Sequence, residues 1–157
     1  KLLNFAHGLK SVLHLRKHEW VFIEDTYYRN IVTMKSLTRF CGVAIKEVAE
    51  LYGLEEVYDE RDMEVEFARK RKPVPSSGIG IMSAAQIIRL INITWFKDRE
   101  DKKQIVVDWA NTNFGLKLKM EDNDMADAIS ICIAGHNRIK ELSDVSQNVK
   151  LQKHNKR

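Results

Sequence analysis

The chain has 157 residues, a mass of 18.3 kDa and a formal net charge of +4, with 44% hydrophobic and 31% charged residues. This is the size of about one domain, and the balance of apolar and charged residues excludes an intrinsically disordered protein. No apolar run approaches the ~20 residues of a membrane span, and the spacing of Cys41 and Cys132 excludes a structural zinc site, which predicts reduced core thiols in a cytoplasmic protein.

Basic residues are concentrated at the two ends of the chain. Residues 1–40 carry a net charge of +4, residues 138–157 carry another +4, and the residues between them carry −4. This distribution suggests a polyanionic partner, for which nucleic acid is the default. The alternative for the last residues is an ordinary solvated terminus.

The first half of the chain predicts a helix, a strand and a second helix. Apolar residues recur with helical spacing over 2–17 and again over 31–51, and Gly53 follows the second run as a helix cap. The continuous apolar run Trp20–Ile23 predicts a buried central strand, which ends in two acids, Glu24 and Asp25. Residues 26–30 are interpreted as a connecting loop.

The second half begins with residues 54–82, which are dense in charge and then rich in Pro, Ser and Gly. We interpret this segment as a charged, partly helical excursion from the core. The sequence then predicts a strand over 87–95, a helix over 99–113, a short edge strand or extended connection over 116–120, and a helix from Asn123 to about Leu142. The expected fold class is therefore α/β, in one domain over 1–142 with a basic C-terminal tail over 143–157.

Three acids are the candidate catalytic residues. Glu24 ends a buried strand, at the kind of sheet edge where open α/β folds place their active sites. Asp124 and Asp127 lie three residues apart, so on a helix they share a face and repel each other. A hard divalent cation such as Mg²⁺ would offset that repulsion. The alternative is that Asp124 and Asp127 are ordinary first-turn acids favoured by the helix dipole.

Basic and aromatic residues near these acids are candidate phosphate and base contacts. Lys97, Lys102 and Lys103 precede or open a helix, where they either meet phosphates or form a solvated face. The run Tyr27-Tyr28-Arg29-Asn30 follows Glu24 directly and offers aromatic stacking beside a guanidinium.

Two blocks of this sequence resemble the RuvC family of Holliday-junction resolvases, within the RNase H-like superfamily. The first block is Val21-Phe22-Ile23-Glu24-Asp25-Thr26-Tyr27-Tyr28-Arg29-Asn30, continuing through Leu37 and Gly42-Val43-Ala44-Ile45. The second is Asp124-Met125-Ala126-Asp127-Ala128-Ile129-Ser130-Ile131, similar to the family's Asp-x-x-Asp-Ala-Leu-Ala-Ile element. Between them, Phe96-Lys97 and Asp101-Lys102-Lys103-Gln104-Ile105 are similar to the family's Val-Lys and Lys-x-Gln-Val positions.

The resemblance implies an RNase H-like mixed β-sheet flanked by helices. A phage-type member of the family is one form that the protein could take. It implies catalytic, metal-binding roles for Glu24, Asp124 and Asp127, and places Lys97 and Lys102 near the scissile phosphate. The family's fourth carboxylate is an Asp on a strand that would precede Lys1. The resemblance therefore leads us to expect about 40 or more residues ahead of Lys1 in the natural protein. On this expectation, the sequence lacks the N-terminal strands of the fold and one of the four catalytic carboxylates.

The expected function is a Mg²⁺-dependent, structure-selective endonuclease, with Mn²⁺ as a substitute, that cuts Holliday junctions or other branched DNA by two-metal hydrolysis. Two symmetric cuts imply a homodimer, in a bacterial or phage-infected cytoplasm and without a membrane. The expected DNA-binding residues are Tyr27, Tyr28, Arg29, Asn30, Lys35, Arg39 and Lys103. Three alternatives remain: a non-catalytic branched-DNA-binding protein on the same fold, an RNA-processing RNase H-like nuclease, and a helical protein-interaction module.

Overall fold

A computed structural model describes residues 2–13, 20–25, 31–54, 56–93 and 99–154. The chain is of mixed α/β class, as the sequence predicts. Its helices are α1 (Leu2–Leu13), α2 (Ile31–Tyr52), α3 (Glu60–Met63, continuing as a π-helix over Glu64–Arg69), α4 (Ala84–Leu90), α5 (Arg99–Phe114) and α6 (Asn123–His154). Its strands are β1 (Trp20–Glu24), β2 (Val57–Tyr58) and β3 (Gly78–Met82), and a short 3₁₀ turn, Met120–Asp122, precedes α6.

The three described strands form one parallel sheet in the order β1-β3-β2. Trp20 lies opposite Gly78 and Glu24 lies opposite Met82, so β1 and β3 are in register over their whole length. The sheet is covered on both faces, as parallel sheets require. One face packs Val21 and Ile79 against Val48 of α2, while the other packs against α4 and α6.

β3 corrects the interpretation of residues 54–82 as an excursion. Gly78–Met82 is the central strand of the described sheet, and Ile79 is completely buried. Its glycines suggested a loop, but they are needed in the strand because aromatic rings of β1 lie over them. A Cβ at Gly78 would lie 2.8 Å from Cη2 of Trp20. One charged residue of the segment also contacts a buried residue of α6, because Nη2 of Arg138 lies 3.1 Å from Oε2 of Glu64.

The predicted strand over 87–95 is wrong over its described part, where residues 84–90 form α4. The signal is a capping box: Ser83 Oγ accepts from the backbone N–H of Gln86, and Gln86 Oε1 accepts from the backbone N–H of Ser83. Such reciprocal caps start helices, and the one here outweighs the β-branched composition of the run that follows. Residues 94 and 95 lie outside the described part of the chain.

The prediction that β1 has both faces covered is confirmed, whereas its predicted central position differs from the order of the described strands. Among the described strands β1 lies at the edge of the sheet, and all five of its residues are half-buried. A continuous apolar run shows that both faces are covered, but it does not indicate whether a strand has one neighbour or two.

Several helix boundaries follow the sequence. Gly53 and Gly115 both have φ of +63°, as glycines that end helices do, and they follow α2 and α5. Residues 116–119 form the extended connection, which was one of the two predicted alternatives. α6 continues through residues 143–154, where the sequence predicted a basic tail, and Cys132 is exposed on it, so it is not a core thiol. Within the described ranges no helix is both long enough and apolar enough to cross a membrane.

Candidate functional site

Glu24 is fixed at the carboxyl end of β1. Its backbone lies opposite Met82, and the next residue continues the pairing, since the backbone N–H of Asp25 donates to the Met82 carbonyl at 2.8 Å. The Glu24 side chain therefore leaves the sheet from a rigid position. This is the edge at which α/β proteins collect functional groups.

Asp127 approaches from the first turns of α6. It is half-buried, and the hydroxyl of the buried Ser130 donates to its backbone carbonyl at 2.7 Å. The start of α6 is fixed by Asn123, whose Nδ2 donates to the Met120 carbonyl at 2.9 Å and whose Oδ1 accepts from Lys103 Nζ at 3.0 Å. Lys103 thus ties α5 to the turn that presents the acid.

Glu24 and Asp127 line the same small cleft, in which the space open to the centre of a water-sized sphere is about 10 Å³. The lining also contains the charged side chain of Lys102 from α5 and the polar side chain of Ser130 from α6. The cleft is lined by Glu24, Ala84, Ile87, Ile88, Lys102, Val106, Asp127, Ser130 and Ile131. Four of these residues, Ile87, Ile88, Val106 and Ser130, are buried, so the charged groups lie against an apolar wall.

Burial dominates the electrostatics of both carboxyl groups. It raises the pKa of Glu24 above its ordinary value; the Lys102 ammonium opposes this rise, and the charges of Asp127 and Asp25 add to it. Burial likewise raises the pKa of Asp127, with Lys102 and Lys103 opposing and Asp124 adding. Both acids thus carry a desolvation penalty that the neighbouring lysines offset in part.

Asp124 belongs less closely to this site. Its charge acts on Asp127, but its side chain is exposed and is not part of the cleft lining. Among the residues described by the structure, no group of three or more His, Cys, Asp or Glu side chains is placed to hold a metal ion. The donor chemistry still fits a hard cation, because two carboxylates and a hydroxyl offer only oxygen.

The predicted nucleic-acid contacts are less well placed. Lys35 and Arg39 are exposed on α2, which covers the opposite face of the sheet, and neither lines the cleft. α2 does approach the end of β1, since burial raises the pKa of the Cys41 thiol and the charge of Asp25 adds to that rise. The predictions for Tyr27, Tyr28, Arg29, Asn30 and Lys97 lie outside the described residues.

Sequence reasoning missed Ser130 and the apolar wall supplied by α4. Ser130 had a usable signal, because it follows Asp127 by three residues and so shares its helix face. The wall residues Ile87 and Ile88 could not be placed while their segment was interpreted as a strand.

Comparison of the chain with protein-family models, curated proteins and solved structures gives no match.

Proposed function

We propose that the chain is a Mg²⁺-dependent, structure-selective endonuclease that cleaves phosphodiester bonds in four-way junctions or other branched DNA, on an RNase H-like fold of the RuvC type. The observation that supports this proposal is the shared cleft of Glu24 and Asp127. These two acids lie about 100 residues apart in the sequence, yet both reach the carboxyl end of a parallel strand beside a lysine.

With two carboxylates and one ammonium, the ionised cleft has a net negative charge, which favours a cation. Glu24 and Asp127 would hold Mg²⁺ or Mn²⁺, with Asp124 as the nearest further carboxylate on the same helix. Bound there, the cation supplies Lewis-acid chemistry at a phosphodiester. Lys102 carries the charge that would neutralise the phosphate, and Lys103 keeps the first turn of α6 in place through Asn123.

The protein would bind DNA mainly through the phosphate backbone of the DNA. Lys35 and Arg39 are exposed on α2, and these two residues, together with Arg29 and Lys97, are the proposed phosphate contacts. Affinity of this origin depends steeply on salt, and selectivity would come from the shape of the junction. Two symmetric cuts require two active sites, so a homodimer belongs to the proposal, as does a cytoplasmic location.

A second candidate is a non-catalytic branched-DNA-binding protein on the same fold. One observation in its favour is that Asp124 is exposed, so that only two carboxylates line the cleft. Another is that no three-ligand metal group occurs in the described part of the chain. An RNA-processing RNase H-like nuclease is a third outcome, which an RNA substrate distinguishes.

The test is cleavage of a synthetic four-way junction, with Mg²⁺ and with a chelator, by the natural gene product with any residues ahead of Lys1 included. We expect Glu24→Gln and Asp127→Asn to abolish cleavage while junction binding is retained. Asp144→Asn is the matched control, because Asp144 is an exposed carboxylate farther along α6. Nicking by either site variant would refute the site, and tight binding without cleavage by the wild type would favour the second candidate.

A further inference from the structure

Phe22 of β1 lies between two glycines. The Cβ of any other residue at Gly135 of α6 would overlap the Phe22 ring, since its three nearest atoms would be Cδ2, Cε2 and Cγ of that ring. A Cβ at Gly80, which lies opposite Phe22 in the sheet, would overlap Cε1 and Cδ1. We call these three residues the Phe22 stack.

The Phe22 stack lies on the side of β1 that carries the candidate site. Successive side chains of a strand point to opposite faces, so Phe22 and Glu24 share a face. Phe22 packs in a cluster with Ala134 of α6, whereas Val21 and Ile23 pack against Val48 of α2. Both Phe22 and Glu24 therefore face α6.

β1 and α6 run antiparallel past each other. Three observations describe the register: Glu24 and Asp127 line one cleft, Phe22 lies against Gly135, and Trp20 packs in the cluster that contains Leu142. The second is the close approach of the helix to the strand, and the first is the candidate site. The Phe22 stack thus lies along the same β1–α6 interface as the cleft, and Ile131 of α6, which lines the cleft, packs in the same cluster as Phe22.

The Phe22 ring is packed closely on both sides, against Gly135 on one and Gly80 on the other. Gly80 lies beneath it, and the terminal methyl group of Met63 would lie 2.8 Å from a Cβ at Gly80. Met63 itself is only 1% exposed. Glycine in a helix interior is unfavourable relative to alanine, so the helix gains nothing locally from Gly135.

We propose that Gly135 is a positioning residue for the candidate site: by lacking a side chain it lets α6 approach β1 across the Phe22 ring, and this approach sets the separation of the Glu24 and Asp127 carboxylates. The inference rests on the proposed function for what the cleft binds. The geometry on which it depends is independent of any ligand.

The experiment compares three variants with the wild type. Gly135→Ala adds the overlapping carbon, and Gly135→Ala combined with Phe22→Leu removes part of the ring that it overlaps. Gly42→Ala is the matched control, since Gly42 is also helical, in α2, and has no atom within 4 Å of an added Cβ. Each protein is crystallised without metal to measure the Glu24–Asp127 separation, and its Mn²⁺ affinity is measured by calorimetry.

We expect Gly135→Ala to widen the separation and to weaken Mn²⁺ binding by about 10- to 100-fold, the range seen when residues that orient metal ligands are changed. The double variant should recover most of the affinity, and Gly42→Ala should match the wild type. A purely structural role would lower the stability of Gly135→Ala and leave the Glu24–Asp127 separation and the Mn²⁺ affinity of its folded form unchanged.

A folded Gly135→Ala variant with the wild-type separation would overturn the inference, as would a double variant no better than the single one. If Gly135→Ala does not fold, the double variant carries the test, and its failure to fold would also overturn the inference. If the wild type binds neither Mn²⁺ nor Mg²⁺, the proposed function fails, and the positioning role is then judged from the carboxylate separations alone.

Discussion

Glu24 and Asp127 line one cleft although they are distant in the sequence, the first at the end of β1 and the second near the start of α6. Burial raises the pKa of both, and Lys102 is the lysine that opposes the rise at each. When both half-buried carboxyl groups are ionised, the neighbouring lysines compensate their negative charge only in part, and the folded chain is destabilised. The behaviour of the cleft should therefore depend on pH and on cations.

The first prediction concerns the pH dependence of stability. Because the pKa of Glu24 is raised in the folded chain, its ionisation lowers the free energy of unfolding as pH rises from the ordinary carboxylate range through the raised value. Glu24→Gln removes that cost, so its Tm should exceed that of the metal-free wild type at pH 7. The difference should disappear below about pH 4, where both side chains are neutral.

Thermal unfolding at several pH values checks this prediction. Glu121→Gln is the control, since Glu121 is an exposed carboxylate before α6, and it should leave Tm unchanged at pH 7. An unchanged or lower Tm for Glu24→Gln at pH 7 would show that burial does not penalise the Glu24 carboxylate.

The second prediction concerns divalent cations. A ligand that binds only the folded chain stabilises it by about 2.7 kcal/mol when present at 100 times its dissociation constant. We expect Mg²⁺ or Mn²⁺ to raise the Tm of the wild type accordingly, and to have little effect on Glu24→Gln or Asp127→Asn. Differential scanning calorimetry measures the shift, and an equal shift in all three proteins would place the bound cation elsewhere.

The third prediction concerns DNA binding by α2. Removing one lysine or arginine that contacts phosphate should weaken junction binding and reduce the slope of log affinity against log salt by about 1. We expect this of Lys35→Ala and of Arg39→Ala, both exposed. Lys46→Ala is the control from the same helix, because Lys46 Nζ already lies 3.5 Å from Glu50 Oε1. Unchanged slopes would remove α2 from the DNA interface.

The fourth prediction concerns the connection between α5 and α6. The Asn111 side chain pairs with both backbone groups of Leu118 in this connection. Its Nδ2 donates to the Leu118 carbonyl at 2.9 Å, and its Oδ1 accepts from the Leu118 N–H at 2.7 Å. Asn111→Ala should lower the free energy of unfolding by about 1–3 kcal/mol, because both half-buried backbone groups lose their partner. Asn113→Ala, which loses one exposed bond to the Trp109 carbonyl, should cost less.

Chemical denaturation compares the two asparagine variants. Equal losses at positions 111 and 113 would contradict the role given to the paired bonds of Asn111.

The parts of the fold that the sequence predicts best are those with a local physical cause. The helical spacing of α2 and α5 and the glycines after them are such features, and so is the position of Glu24 at the end of a strand. The helix period also predicts that Asp127 lies on the face of α6 that carries Asp124, although it does not tell how far each side chain is buried.

The parts that were mispredicted depend on partners distant in the sequence. β3 has glycines because Trp20 and Phe22 lie over it, and these rings come from a strand almost 60 residues earlier. The edge position of β1 among the described strands depends on strand order, which no local pattern encodes. α4 is different, because the Ser83–Gln86 capping box was present in the sequence and outweighed the apolar composition.

Replacing glycine by alanine inside a helix is a standard route to a more heat-resistant protein. At Gly42, where nothing surrounds the added methyl group, that route should work here. At Gly135 the same exchange would drive a methyl group into an aromatic ring, so a choice guided by helix propensity alone would select one helpful change and one harmful change.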